Sequence, residues 1–382
     1  GDFKKGQLAF QTGFNDKAYG ANGFYSLRFP HQFEHTQTLI SSIQWQTKGS
    51  VKWIPSIYYR YNFDRFELER GGNKNNYHNN QSGGINIRNS FSTRLGKTSF
   101  SADYRMEDIV SSSLGELLAN PIPSRIKDVD FTHRKTRHIT GLSAAQGYVG
   151  EKIILNLSLL GQYYFGNNAF YLLPATDILY RFRSIKKKKN YIDIDVFASA
   201  AKTMRMPTFT DLYYRAGDIM GNEHLKPEQA YTIESGFEMK LSRNHATAYV
   251  SWKTAVFCRW GIDMIDYIKK EEDSLWRSVN HTNVFFAGVE SSFEFLPEYY
   301  FGKPILIQSI RLNYMYLYSD KQSKGYLSRY VLDHVKHKIT LSLSHMIYKN
   351  WGMHYVVSYN VRKGEYISYE NIKTGELKTY SP

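Results

Sequence analysis

Ser309-Ile310-Arg311-Leu312-Asn313-Tyr314-Met315-Tyr316-Leu317-Tyr318 alternates polar and apolar residues with a period of two. Successive side chains of a strand point to opposite sides. Ile310, Leu312, Tyr314, Tyr316 and Tyr318 therefore share one face, and Ser309, Arg311, Asn313 and Met315 the other. The pattern returns at Ile85 to Ser92, Leu155 to Gln162, Ile192 to Ser199, Tyr231 to Leu241, Lys338 to Ser344 and Met353 to Asn360. No stretch supplies the run of about 18 apolar residues that a membrane helix needs. One polar and one apolar face per strand, repeated in about fifteen segments, reads as the wall of a transmembrane antiparallel β-barrel, an all-β fold with lipid outside and water inside.

Composition agrees. The 382 residues include 31 Tyr and 23 Phe, and 16% are aromatic. Aromatic rings suit strands, and Tyr and Trp suit the membrane–water boundary, where the ring stays dry and its polar tip wet. A large β-sandwich or propeller can be equally Tyr-rich. If Asp193, Asp195, Glu234 and Glu238 lay on its solvent face, the Ile and Leu register would be its core, and periodicity alone does not separate the two folds. Loop asymmetry does better. Connections near 48–50, 96–97, 150–151, 243–244 and 349–350 read as short, and those at 16–33, 70–81, 109–134, 204–228, 259–280 and 320–329 as long. Short turns on one rim and long loops on the other are the habit of outer-membrane barrels.

The net charge of +14 is scattered over strands and turns, which fits a basic lumen or rim better than a nucleic-acid surface. Lys186 to Lys189 is a basic run and reads as a solvated turn. The single cysteine, Cys258, excludes an internal disulfide framework. No hydrolase elbow or paired zinc-histidine motif occurs, so no enzyme and no cofactor is expected. Asp193 and Asp195 share a face and could hold a cation, or form a polar ladder with lumenal Lys and Arg. Glu271-Glu272-Asp273 could recruit calcium or be a solvated acidic loop.

The most specific segment runs from Arg205-Met206-Pro207-Thr208-Phe209-Thr210-Asp211-Leu212-Tyr213-Tyr214 to Gly221-Asn222-Glu223-His224-Leu225-Lys226-Pro227-Glu228. It reads as a strand end, a proline stop, an aromatic excursion and a Gly-Asn turn. The chain then re-enters a strand through Glu234-Ser235-Gly236-Phe237-Glu238. This segment resembles TonB-dependent outer-membrane receptors. A second stretch, Gly13-Phe14-Asn15-Asp16-Lys17-Ala18-Tyr19-Gly20 continuing to Ser26, is similar to the branch that includes cobalamin transporters of the Bacteroidetes type.

The resemblance implies a barrel of about 22 strands closed by an N-terminal plug. Residues 1–382 would then be one barrel domain lacking the plug, the first strands and the last strands, with both ends cut. The implied function is outer-membrane uptake of a scarce nutrient, a corrinoid first and an iron chelate second, with a plugless passive porin as the alternative. The implied partners are the TonB complex acting through the plug, outer-membrane lipid, the nutrient ligand and a surface lipoprotein. Arg205, Asp211, Tyr213, Tyr214 and Asn222 are the candidate substrate-binding residues. The same residues could instead pin their loop to the rim.

Overall fold

Inside hydrocarbon no water can satisfy a bare N–H or C=O, so alternating segments of this kind must pair edge to edge. They do. The computed structural model describes the chain apart from residues 22–30, 73, 127–128, 183–184, 188–189, 217, 244–246, 271–274, 282, 321–326, 329–333, 349–350, 364–365, 372–375 and 381–382. Among the described residues, fifteen long strands form one sheet. They are β1 (Gly6–Gly20), β2 (Phe33–Thr47), β3 (Val51–Glu67), β4 (Lys74–Thr93) and β5 (Gly96–Ser111). Next come β6 (Asp130–Val149), β7 (Ile153–Tyr164), β8 (Ala169–Arg181), β9 (Asn190–Arg205) and β10 (Glu228–Arg243). The last are β11 (Ala248–Ile262), β12 (Val284–Phe295), β13 (Ile307–Ser319), β14 (His334–Tyr348) and β15 (Trp351–Lys363). Each pairs antiparallel with the next in the chain, an up-and-down order throughout. No pairing among the described residues joins β1 to β15.

Register fixes the two faces. Met239, Trp252, Phe293, Leu312, Leu341 and Val357 are successive cross-strand partners from β10 to β15. One residue along, on the opposite face, Asp195, Glu238, Lys253, Ser292, Asn313 and Thr340 form the corresponding row from β9 to β14. An apolar row thus backs a charged one across a single layer. A sandwich would bury the apolar row, yet Leu312, Ile339 and Leu341 are 42%, 40% and 45% exposed. Two carboxylates of the polar face pair with cations there: Glu238 with Lys240 at 2.6 Å and Glu294 with Arg311 at 2.5 Å. Among the described residues no group of three or more His, Cys, Asp or Glu is placed to hold a metal.

Connections alternate in length. Residues 48–50, 94–95 and 150–152 turn the chain at one rim, while 112–129, 206–227 and 263–283 make long excursions at the other. Several expectations shift: residues 16–20, expected as loop, complete β1; residues 109–111 and 130–134, also expected as loop, belong to β5 and β6; and Lys186-Lys187, expected in a turn, lie in a short strand, Ile185–Lys187, paired with residues 190–192. The turn expected at Gly96-Lys97 lies at Arg94-Leu95, and Gly96 opens β5 with φ +123°. A Cβ there would stand 2.1 Å from the Gly147 carbonyl oxygen, so glycine is required by contact as well as by φ. Residues 70–81, expected as a loop, are mostly strand, because β4 starts at Lys74. Their polar run, Asn75 to Gln81, belongs to a strand that outgrows the bilayer: about 10 residues suffice to cross it, and β4 has 20. Of the other expectations, Asn22 to Ser26, Lys188, Lys189, Asn244, Glu271 to Asp273, residues 321–326 and 329, and residues 349–350 lie outside the described residues.

The two faces predict opposite responses to charge. Leu341→Arg, on the apolar face in mid-strand, should destabilise the folded barrel by about 2–4 kcal/mol, while Thr340→Arg, facing the polar side, should cost well under about 1 kcal/mol. Reversible urea unfolding in lipid vesicles measures both. Equal costs would contradict the assignment.

Candidate functional site

Where β5 and β9 leave the wall, the excursion 206–227 does not stand upright. Pro207 stops the strand, because it has no N–H to continue the ladder and fully buries its ring. A one-turn helix, α1 (Phe209–Tyr213), follows. It is closed by a capping box: Thr208 Oγ1 accepts from the Asp211 backbone N–H at 3.0 Å, and Asp211 Oδ2 accepts from the Thr208 N–H at 2.9 Å. The chain then doubles back. The Gly221 N–H donates to the Tyr214 carbonyl at 2.7 Å and the Asn222 N–H to the Asp211 carbonyl at 3.0 Å. A Cβ on Gly221 would lie 2.8 Å from the Leu212 carbonyl, so this return over the helix admits only glycine.

This folded unit leans inward. Ser99, Ala145, Ser158, Ala175 and Ala201 are successive partners from β5 to β9, so odd-numbered residues of β5, β6 and β9 share the polar face. On that face Ile109, with Leu114, forms a buried cluster with Tyr213, and Phe209, Leu212 and Tyr214 pack around it. Arg137 ion-pairs with Glu107, donates from Nη1 to the Pro207 carbonyl at 2.9 Å, and stacks 5.0 Å from the Phe209 ring. The Asn76 amide of β4 donates to the Tyr214 hydroxyl at 3.3 Å. The excursion from β9 has therefore passed over β7 and β8, whose own connection is only residues 165–168, to rest on the inner face of β4 to β6.

The next excursion, 263–283, is tied to it. The Asn280 amide donates to the Lys226 and Asp263 carbonyls at 2.8 and 2.7 Å, and its oxygen accepts from the Lys226 N–H at 2.7 Å. The Tyr267 hydroxyl donates to the Thr210 carbonyl at 3.3 Å, and residues 219–220 pair in parallel with residues 276–277. Two long loops thus make one shelf across part of the mouth.

The five candidate residues all fall in this shelf or at its root. Arg205 Nε donates to Glu228 at 2.5 Å and its Nη1 to Asp211 at 3.3 Å, while about half of the side chain remains exposed. Glu228, buried, also accepts from the Ile265 N–H at 2.7 Å, so one carboxylate joins both loop roots. Tyr213 is buried, and that burial raises its phenol above the usual range, with Lys135 beside it pulling the other way. Tyr214 is half-buried at the shelf edge. Asn222 Oδ1 accepts from the His224 N–H at 3.0 Å and sets the turn. Sequence reading did not single out Arg137, Glu107 or Asn280. A capping-box spacing at Thr208 and Asp211 was available locally, but nothing near Arg137 announces a partner seventy positions on.

The family described as TonB dependent receptor-like, beta-barrel matches residues 2–381. The chain belongs to that family. It is an outer-membrane β-barrel chain, and the family is one of receptors and transporters rather than catalysts. No curated protein sequence matches it. Among solved structures it is similar to the siderophore receptor PirA from Pseudomonas aeruginosa, at 11% identity and a TM-score of 0.65, covering 95% of this chain and 61% of that one. The FrpB iron transporter from Neisseria meningitidis gives 11%, 0.61, 95% and 59%, and the copper transporter OprC 10%, 0.63, 90% and 54%. The chain thus spans between 54% and 61% of the length of these structures. At such identities the likeness is one of fold.

Arg205→Ala should leave Glu228 buried without its cation, which costs about 3–5 kcal/mol when the charge cannot relax into water. With Glu228 near the rim, the loss should appear as loosening of the shelf. Limited proteolysis of membranes should then cut within 206–227 while the barrel keeps its heat-modifiable gel mobility. An uncut shelf in the variant would show that the pair does not hold the loop.

Proposed function

We propose that the intact protein is a TonB-energised receptor that captures a scarce nutrient at its long-loop rim and passes it through a barrel of about 22 strands gated by a plug. The observation that carries this reading is the inward shelf: a family barrel wall whose two longest described excursions are locked together across the polar interior. A passive porin has less use for so heavily bonded a shelf over its bore. Residues 1–382 would be the barrel part, with the TonB complex acting through a plug outside this chain, and a surface lipoprotein as a further partner.

The nutrient is an anionic metal chelate in the first reading. A basic chain, the half-exposed Arg205 guanidinium at the shelf root, and Tyr214 at its edge suit a large anion with aromatic surface. The names of the similar structures, a siderophore receptor, an iron transporter and a copper transporter, lean the same way. A corrinoid is the second reading. It is favoured by the stretch from Gly13, whose described part, Gly13 to Gly20, is wall strand rather than loop. In either case Arg205 and Tyr214 face the ligand, while Asp211, Tyr213 and Asn222 shape the shelf that presents it.

Tryptophan quenching with the intact protein in detergent, titrated with ferric chelates and with cobalamin, tests the order. Ferric chelate binding that is lost when residues 215–220 are shortened to a two-residue turn is expected. Cobalamin binding alone would reverse the order of substrates. Binding of neither, with uptake unchanged in a deletion strain, would remove the receptor reading.

A further inference from the structure

The membrane-facing side of β3 to β10 is not evenly convex. It holds two adjoining troughs of about 690 and 600 Å³ that share Phe100, Ala144 and Leu159. The cause is in the register. Trp53, Asn89, Phe100, Ala144, Leu159 and Pro174 are successive partners from β3 to β8, with small residues set between large ones. The neighbouring row adds Thr176 and Ala200, with Ile233 as the far wall. Partner rows run across the strands, and strands in such barrels tilt. The trough therefore runs obliquely, advancing about 4.8 Å from strand to strand, from Trp53 near the short-turn rim to Lys202 and Tyr231 near the long-loop rim.

Two polar groups mark this apolar path. Lys202 is the sole Lys or Arg lining either trough, and its Nζ lies 5.5 Å from the centre of the Tyr231 ring. Tyr231, Trp260 and Phe285 continue as partners along the same level, forming an interfacial aromatic belt. The lysine is thus placed at head-group height with no carboxylate pairing with it among the described residues. Asn89 lines the lower trough, is only 9% exposed, and forms no side-chain hydrogen bond with the described residues. Thr98, on the same face, donates to the Gln146 side chain at 2.5 Å.

We propose that this trough is a binding site for one phosphate-bearing membrane lipid, its phosphate on Lys202 and an acyl chain laid along Ala200, Pro174 and Ala144 towards Asn89. Charge complementarity selects this occupant: a lone cation at the belt meets an anionic head group, and the rest of the trough is apolar. The site stands apart from the choice of nutrient, since it lies on the opposite face of the wall.

Native mass spectrometry of the intact protein, purified from outer membranes in mild detergent, reads the occupant directly, with phosphorus analysis of the extract. The wild type should retain one phosphorus-containing lipid. Lys202→Gln should lower retention about five-fold, the worth of one interfacial cation. Ala144→Phe, filling the part both troughs share, should abolish it, and Ala200→Leu does the same test should the first variant lose its heat-modifiable mobility. Equal lipid content in wild type and variants would mean a non-specific annulus and overturn the site. So would a retained molecule without phosphate, or a second protein copy in its place.

Discussion

Hydrocarbon leaves no backbone group unpaired, and everything else in this chain follows from that demand. A strand satisfies it only by pairing on both edges, so the wall is a ladder of neighbours in chain order. The same strand must show lipid on one side and water on the other, and it can do both because its side chains alternate. Asp195, Glu238 and Lys253 can occupy the residues adjacent to Val196, Phe237 and Trp252 without conflict, since one residue of displacement is a change of solvent.

The demand ends where the strands leave the bilayer. There the wall is wet on both sides, and packing resumes the form it has in water. Among the described residues, two buried hydrophobic clusters sit at that end. One gathers Tyr77 and Val110 beneath Val129 and Phe131 of the returning chain, and the other gathers Ile109 and Leu114 with Tyr213. Charged pairs anchor the same region: Arg65 with Glu67, Arg134 with Asp108, and Arg205 with Glu228. A membrane-spanning wall thus presents a rim built like a soluble domain, and the shelf is part of it.

That division explains what the sequence disclosed. Alternation is local, so Ser309 to Tyr318 could be assigned to a two-faced strand without knowing its neighbours, and the charged Glu234/Glu238 register with it. The short turns at 48–50, 94–95 and 150–152 were located to within two residues, and the error at Gly96 came from treating a glycine that the neighbouring strand requires as one that a turn requires. The stretch 70–81 misled because strand polarity above the bilayer looks like loop polarity. The 205–228 segment announced itself by its residues, but not its destination. Its contacts with Asn76, Ile109 and Arg137 join positions far apart in the chain, and such pairings leave no periodic trace.

The central claim is a dry face and a wet face within one layer of strand. Single spin labels placed at each position from Ser309 to Tyr318, in the protein reconstituted in lipid, measure it directly. Collision with oxygen, which concentrates in acyl chains, should peak at Ile310, Leu312, Tyr314 and Tyr316, and collision with a water-soluble nickel chelate at Arg311, Asn313 and Met315. Two profiles that rise and fall together, without a period of two, would contradict the account.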